Sequence, residues 1–194
     1  MTHLDYNKWD LENKIKYLSW IPKDVKTVLD VGCGRGEFLS LIASKYEAYG
    51  CDVDANCVKF SSKFAEVKLA DILHLSNYYK QNSFDLVTAF HILEHLSCPL
   101  KALQEIGKVT KKYILIAIPN ARCVIWKELS THLYSWNRYT LKNIMERAGF
   151  SLKRISEDRI NIFPRWLRLS PIINRILLKI IIAPNELIAL GIKK

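Results

Sequence analysis

Two clusters of residues in this 194-residue chain have the types and spacing to do chemistry. The first is Val28-Leu-Asp-Val-Gly-Cys-Gly-Arg-Gly36, a Gly-x-Gly-x-Gly turn that closes a short apolar run containing Asp30. Glycines at the end of a buried strand let the backbone turn sharply and come close to a ligand. Here the third glycine follows the second by two residues rather than three, and a pyrophosphate cradle prefers the wider spacing. The tighter loop suits a ligand end that carries an ammonium and a carboxylate, such as the methionine part of S-adenosylmethionine (SAM). The second cluster is His91-Ile-Leu-Glu94-His95. In a helix, positions 91, 94 and 95 fall on one face at i, i+3 and i+4. A pocket histidine there can serve as general base.

Given these residues, the chain resembles the class I SAM-dependent methyltransferases. Phe84-Asp-Leu-Val-Thr-Ala-Phe-His-Ile-Leu-Glu-His-Leu96 is similar to that family's fourth-strand motif. Tyr113 to Asn120, and the Ala-Gly-Phe ending at Phe150, are similar to its fifth strand and its approach to the sixth. The resemblance implies a SAM site built from Asp30, Gly32, Cys33, Gly34, Asp52, Val53, Asp71, Ile72, Phe90 and His91. Asp52, 20 residues after Gly32, stands where a carboxylate accepts from the ribose hydroxyls. Asp54 is better placed to cap the following helix. Ala70-Asp71-Ile72 resembles the adenine motif, with Asp71 as acceptor, and Phe90 and His91 should pass under the methionine and sulfonium.

Two groups of relatives, the ubiquinone-pathway O-methyltransferases and the small-RNA 3′-terminal 2′-O-methyltransferases, carry a Glu-x-x-Glu-His motif where this chain has His91, Glu94 and His95. His132-Leu-Tyr-Ser-Trp-Asn-Arg138 resembles a further run of the RNA enzymes, whose histidine is another ligand. The resemblance thus implies a divalent-metal set of His91, Glu94, His95 and His132, with His91 in place of the first glutamate softening it. The catalytic candidates are His91, His95 and His132. Trp136 and Tyr139 are expected on the acceptor side.

The elements that must position these residues follow a βαβ rhythm. Strands are predicted near 27–31, 47–52, 66–70, 84–90 and 111–118, and helices near 35–45, 55–64, 98–108 and 138–148. Tyr6 to Trp20 reads as an amphipathic helix with Trp9, Leu11, Ile15 and Leu18 on one side, a cap over the cofactor pocket within residues 1–24. Phe150 to Ser156 reads as a sixth strand and Glu186 to Lys193 as a seventh. The expected fold is therefore α/β: a Rossmann-like seven-stranded class I methyltransferase sheet, helices on both faces, the last strand antiparallel, in a single domain over 1–194. Residues 157–185 read as a helical insertion, with Ser170-Pro171 opening a helix from Ile172 to Ala183.

Charge is distributed unevenly. Residues 138–194 hold 12 Lys/Arg against 4 Asp/Glu, a net of +8 within a total of +10. That basic third could meet RNA, anionic lipid or a phosphorylated substrate, or form a solvated face. The helix read over Ile172 to Ala183 is too short and charged to span a bilayer, but residues 160–183 could make peripheral membrane contact or cover an apolar substrate. No apolar leader follows Met1, and the five cysteines show no Cys-x-x-Cys pair, so a reduced, cytoplasmic protein is expected. The function expected is O-methylation of a hydroxyl on a small, lipid-like or saccharide metabolite. RNA 2′-O-methylation and a non-catalytic SAM-binding subunit are the alternatives.

Overall fold

In the computed structural model, residues 11–121, 131–158 and 186–194 are described. The strands are β1 (Thr27–Val31), β2 (Glu47–Asp52), β3 (Glu66–Leu69), β4 (Phe84–Phe90), β5 (Thr110–Pro119), β6 (Phe150–Asp158) and β7 (Glu186–Lys193). The α-helices that follow β1, β2, β4 and β5 are α1 (Glu37–Ile42), α2 (Ala55–Ser61), α3 (Pro99–Val109) and α4 (Arg138–Arg147). The seven strands form one sheet in the order β3-β2-β1-β4-β5-β7-β6, with β7 antiparallel to both of its neighbours. Strand order reverses between β1 and β4. In open α/β sheets the crevice outside the carboxyl ends of such a pair receives the ligand.

β4 and β5 lie inside the sheet and are covered on both faces, so both read as nearly unbroken apolar runs. Alternate side chains serve opposite cores. Leu29, Val31, Val87, Ile114 and Ile116 pack with Leu103 and Ile106 of α3 and with Leu141 and Met145 of α4. Val28, Leu86, Phe90, Leu115 and Ile188 pack with Phe38, Leu39 and Ile42 of α1 and with Tyr17 and Trp20. α4 starts sharply because Asn137 caps it, accepting from Tyr139 N and Thr140 N, while Thr140 Oγ1 accepts from Asn137 N.

Three expectations are corrected here. The N-terminal segment is not α-helical throughout: Ile15–Trp20 is a 3-10 helix. Its three-residue turn brings Tyr17 and Trp20 into line on the core and leaves Ile15 51% exposed, so the apolar face differs from the one read at α-helical spacing. Residues 157 and 158 belong to β6 rather than to an insertion, since Asp158 pairs with Glu186 in the sheet. His91 is not helical: it has φ +56°, and only Leu93–His95 forms a 3-10 turn. The rest of the insertion, the helix read over 172–183, the membrane-contact stretch 160–183, Tyr6 and Trp9 lie outside the described residues. Among the described residues, no helix is long and apolar enough to cross a membrane.

Candidate active site

The glycine turn lies at the carboxyl end of β1 with Gly32, Gly34 and Gly36 all at positive φ, where L side chains are strained. At Gly32 there is a second constraint, because a Cβ there would overlap the side chain of Ile92. Ile92 therefore ties the glycine turn to the His91–His95 run, and the two sequence clusters meet in space.

Asp52 ends β2 and shapes the neighbouring turn. Its Oδ2 accepts from Gly34 N at 2.9 Å, and its Oδ1 accepts from Asp54 N at 2.9 Å. Asp54 caps α2 by accepting from Asn56 N at 2.8 Å. Val53, between them, is exposed at the rim. Cys33 is buried, and its N–H donates to Cys51 O at 3.0 Å. Asp30 is buried beneath the turn, where Thr88 Oγ1 donates to it at 2.6 Å. Burial pushes the Asp30 carboxyl up to about 6, against the opposing charge of Lys14 and the Thr88 hydrogen bond. Asp71 follows β3 and accepts from Leu73 N at 2.8 Å, while Ile72 beside it is buried. Phe90 is buried at the end of β4, stacked on Tyr17 at 4.2 Å between ring centres and edge-on to Phe38 at 4.9 Å.

Past β4, Glu94, His95 and His132 come together, with one ligand atom from each lying within 4.8 Å of the others. Ligands at about 2.1 Å from a tetrahedral ion are about 3.4 Å apart, so an ion would draw the three in by up to about 1.4 Å. The donor set fits a divalent cation on two counts. Glu94 is 1% exposed, and neither of its carboxylate oxygens is in a hydrogen bond among the described residues. His95 Nδ1 donates to Thr131 O at 3.0 Å, which orients the ring and leaves Nε2 for a ligand. Leu133 N donates to Glu94 O at 2.8 Å and binds the two segments together.

His91 stands outside that group of three. Its Nδ1 is 3.4 Å from Glu94 Oε1, and its Nε2 is 2.9 Å from Glu186 Oε1. Glu186 is fully buried, and it also accepts from Tyr17 Oη and pairs with Lys16 Nζ. Burial works against the His91 cation, but the Glu186 and Glu94 carboxylates outweigh it and raise the ring to about 9. Burial would likewise raise Glu186, yet His91 and Lys16 hold it below the usual carboxylate range. Sequence reasoning missed Lys16, Tyr17 and Glu186. One signal was available: a glutamate opening the otherwise apolar run Leu187 to Leu190.

Trp136 is buried and forms an isolated parallel bridge to Asn120, just past β5. It precedes α4, as does Tyr134, whose hydroxyl donates to Ser97 O at 2.9 Å. Tyr139, in the first turn of α4, is exposed.

A family model described as a methyltransferase domain matches residues 6–154. A protein of Methanocaldococcus jannaschii, itself uncharacterized, is 33% identical over 147 residues, which is 74% of this chain and 62% of the relative. The tRNA (carboxymethyluridine(34)-5-O)-methyltransferase of Arabidopsis thaliana is 31% identical over 128 residues, or 63% of this chain. The chain thus spans 62% and 30% of the lengths of these two relatives. Among solved structures, a SAM-dependent methyltransferase from Archaeoglobus fulgidus superposes with a TM-score of 0.74 at 26% identity, covering 95% of this chain and 94% of that one.

Proposed function

The chain belongs to the class I SAM-dependent methyltransferase family, and from that premise we propose that it methylates a hydroxyl oxygen on a small, lipid-like or saccharide metabolite. The observation that carries the oxygen assignment is the grouping of Glu94, His95 and His132 beside the glycine turn. An oxygen nucleophile needs help losing its proton, whereas a softer nucleophile can do without. SAM brings an already activated methyl group.

What remains for the protein is alignment, water exclusion and care of the acceptor proton. Asp30 and the glycine turn receive the amino-acid end of SAM, Asp52 the ribose hydroxyls and Asp71 the adenine amino group. Glu94, His95 and His132 would hold a divalent cation, which lowers the pKa of an oxygen bound to it. Tyr17, Phe38 and Phe90 wall the carboxyl end of β4 against water. An amphiphilic or anionic acceptor, a cytoplasmic setting and peripheral membrane contact belong to the same reading. The apolar and basic sequence of 160–183 supports the acceptor and the membrane contact, and five cysteines without a Cys-x-x-Cys pair support the cytoplasmic setting.

The test is incubation of the purified protein with methyl-labelled SAM and fractionated host extract, with and without a chelator. Label in a lipid, saccharide or small-molecule fraction that a chelator suppresses is the expected result. Label that enters proteins, or that no chelator affects, would contradict it. A second reading, methylation of RNA, is favoured by the tRNA-modifying Arabidopsis relative and by the basic stretch 138–194. It predicts label in the RNA fraction and binding that weakens steeply with salt.

A further inference from the structure

Glu186 is anomalous where it stands. It opens β7, whose next four residues are all buried and apolar, and its own carboxylate is fully buried. Removing a carboxylate from water is costly unless its partners are well placed. Its partners come from two other parts of the chain: Lys16 and Tyr17 from the N-terminal 3-10 helix, and His91 from the end of β4. His91 is anomalous as well. It is one of only two non-glycine residues at positive φ among the described residues, and the other is in the turn before β4. A histidine in this conformation, just past the strand end where ligands bind, is held there by its surroundings.

The direction of the His91 ring gives these two anomalies one explanation. Nε2 faces Glu186, and Nδ1 faces Glu94, whose carboxylate oxygens have no hydrogen bond among the described residues. We propose that His91 is not a fourth metal ligand but the group that orients Glu94, and that Glu186, steadied by Tyr17 and Lys16, is the positioning residue that fixes His91. This rests on the metal-assisted reading above and assigns new roles within it. The chain of contacts is Tyr17 to Glu186 to His91 to Glu94, with the last carboxylate turned toward His95 and His132. Outer groups of this kind set ligand orientation, and their loss lowers metal affinity about 10–100-fold. The N-terminal 3-10 helix thereby becomes part of the metal site although none of its residues would touch the ion.

The test is equilibrium dialysis of wild type, Glu186→Gln and Tyr17→Phe against Zn²⁺ and, separately, Mn²⁺. It is joined to spectra of ¹⁵N-histidine-labelled protein and to SAM affinity as a check on folding. The expected result is about tenfold or greater loss of metal affinity in Glu186→Gln and a smaller loss in Tyr17→Phe. The His91 Nε2–H resonance should move in both variants, each of which still binds SAM. Tyr17→Phe keeps the ring stacked on Phe90, so it remains informative should Glu186→Gln fold poorly. Equal metal affinity in all three proteins overturns the inference and leaves the metal site standing. A wild type that binds neither ion overturns the metal site and this inference together.

Discussion

Glu186 Oε1 lies 2.9 Å from Nε2 of His91, across 95 positions of sequence. The contact joins the first residue of β7 to the first residue past β4. The antiparallel strand is thus linked directly to the end of the sheet that receives the cofactor.

Breaking this contact should cost stability as well as function. Among the described residues, His91→Asn leaves Glu186 with Lys16 and Tyr17 as its partners. A hydrogen bond between charged groups contributes about 1.5–3 kcal/mol, so the variant should unfold more easily by that order. Denaturant unfolding measures it, and a midpoint equal to wild type would mean the pair is energetically neutral.

Asp52 is expected to dominate recognition of the nucleoside. Asp52→Ala should weaken SAM binding by about 1.5–3 kcal/mol, the range for a hydrogen bond to a charged group. It also frees Gly34 N and Asp54 N, so part of the loss is a loosened turn. Calorimetry with Asp52→Asn helps separate the two, because its single amide oxygen can keep one of these two turn hydrogen bonds while the charge is lost. Unchanged affinity in Asp52→Ala would place the ribose elsewhere.

Asp30 should impart pH dependence of two kinds. Its carboxyl titrates near 6 in the folded chain against an ordinary 3.8, so folding favours its protonated form. The stability it contributes is fully present below about pH 4 and is lost as pH rises through about 6. A shift of about two units corresponds to about 3 kcal/mol, so Asp30→Asn should be more stable than wild type at pH 7 by that order or less. An ammonium group needs the ionised carboxylate, so SAM affinity should fall by up to about tenfold per unit below pH 6. Calorimetry from pH 5 to 7.5 tests this, and an equally steep profile in Asp30→Asn would assign the dependence to another group.

Gly32→Ala should damage the cofactor loop. The residue sits at φ +63°, and the new methyl would overlap Ile92. Backbone strain of this kind costs about 1–3 kcal/mol, before any shift of Ile92. The double variant Gly32→Ala/Ile92→Ala should recover the steric part but not the backbone part. SAM binding by the single variant at wild-type strength would show that the turn has another way to close.

Metal retention should rank the histidines. His95→Ala and His132→Ala should abolish binding, because each removes one of three ligands, whereas His91→Asn should weaken it by about 10–100-fold. Metal analysis after dialysis gives the ranking. Equal and complete loss in His91→Asn would return that ring to the ligand set.

Much of the fold was legible because its signals are local. The β1 run followed by closely spaced glycines marks a strand and its turn. Asp54 declares itself a cap by standing just before Ala55, and the unbroken apolar runs of β4 and β5 mark strands covered on both faces. Asp52 could be placed at its strand end by counting from Gly32. Periodicity misled at Ile15–Trp20, where a 3-10 turn replaced the α-helical one and moved the buried face to Tyr17 and Trp20.

The sequence by itself determined which residues end strands, which turns require glycine and which side chains carry the chemistry of a SAM site. Only the tertiary structure decided what those side chains face. Helical spacing put His91 on one face with Glu94 and His95, but the left-handed backbone at His91 turned it between Glu94 and Glu186. A sequence pattern reports the face on which a residue lies. It carries no information about a residue 95 positions away that folding sets against that face, because that distance is fixed by sheet order and by the register of β7 on β5.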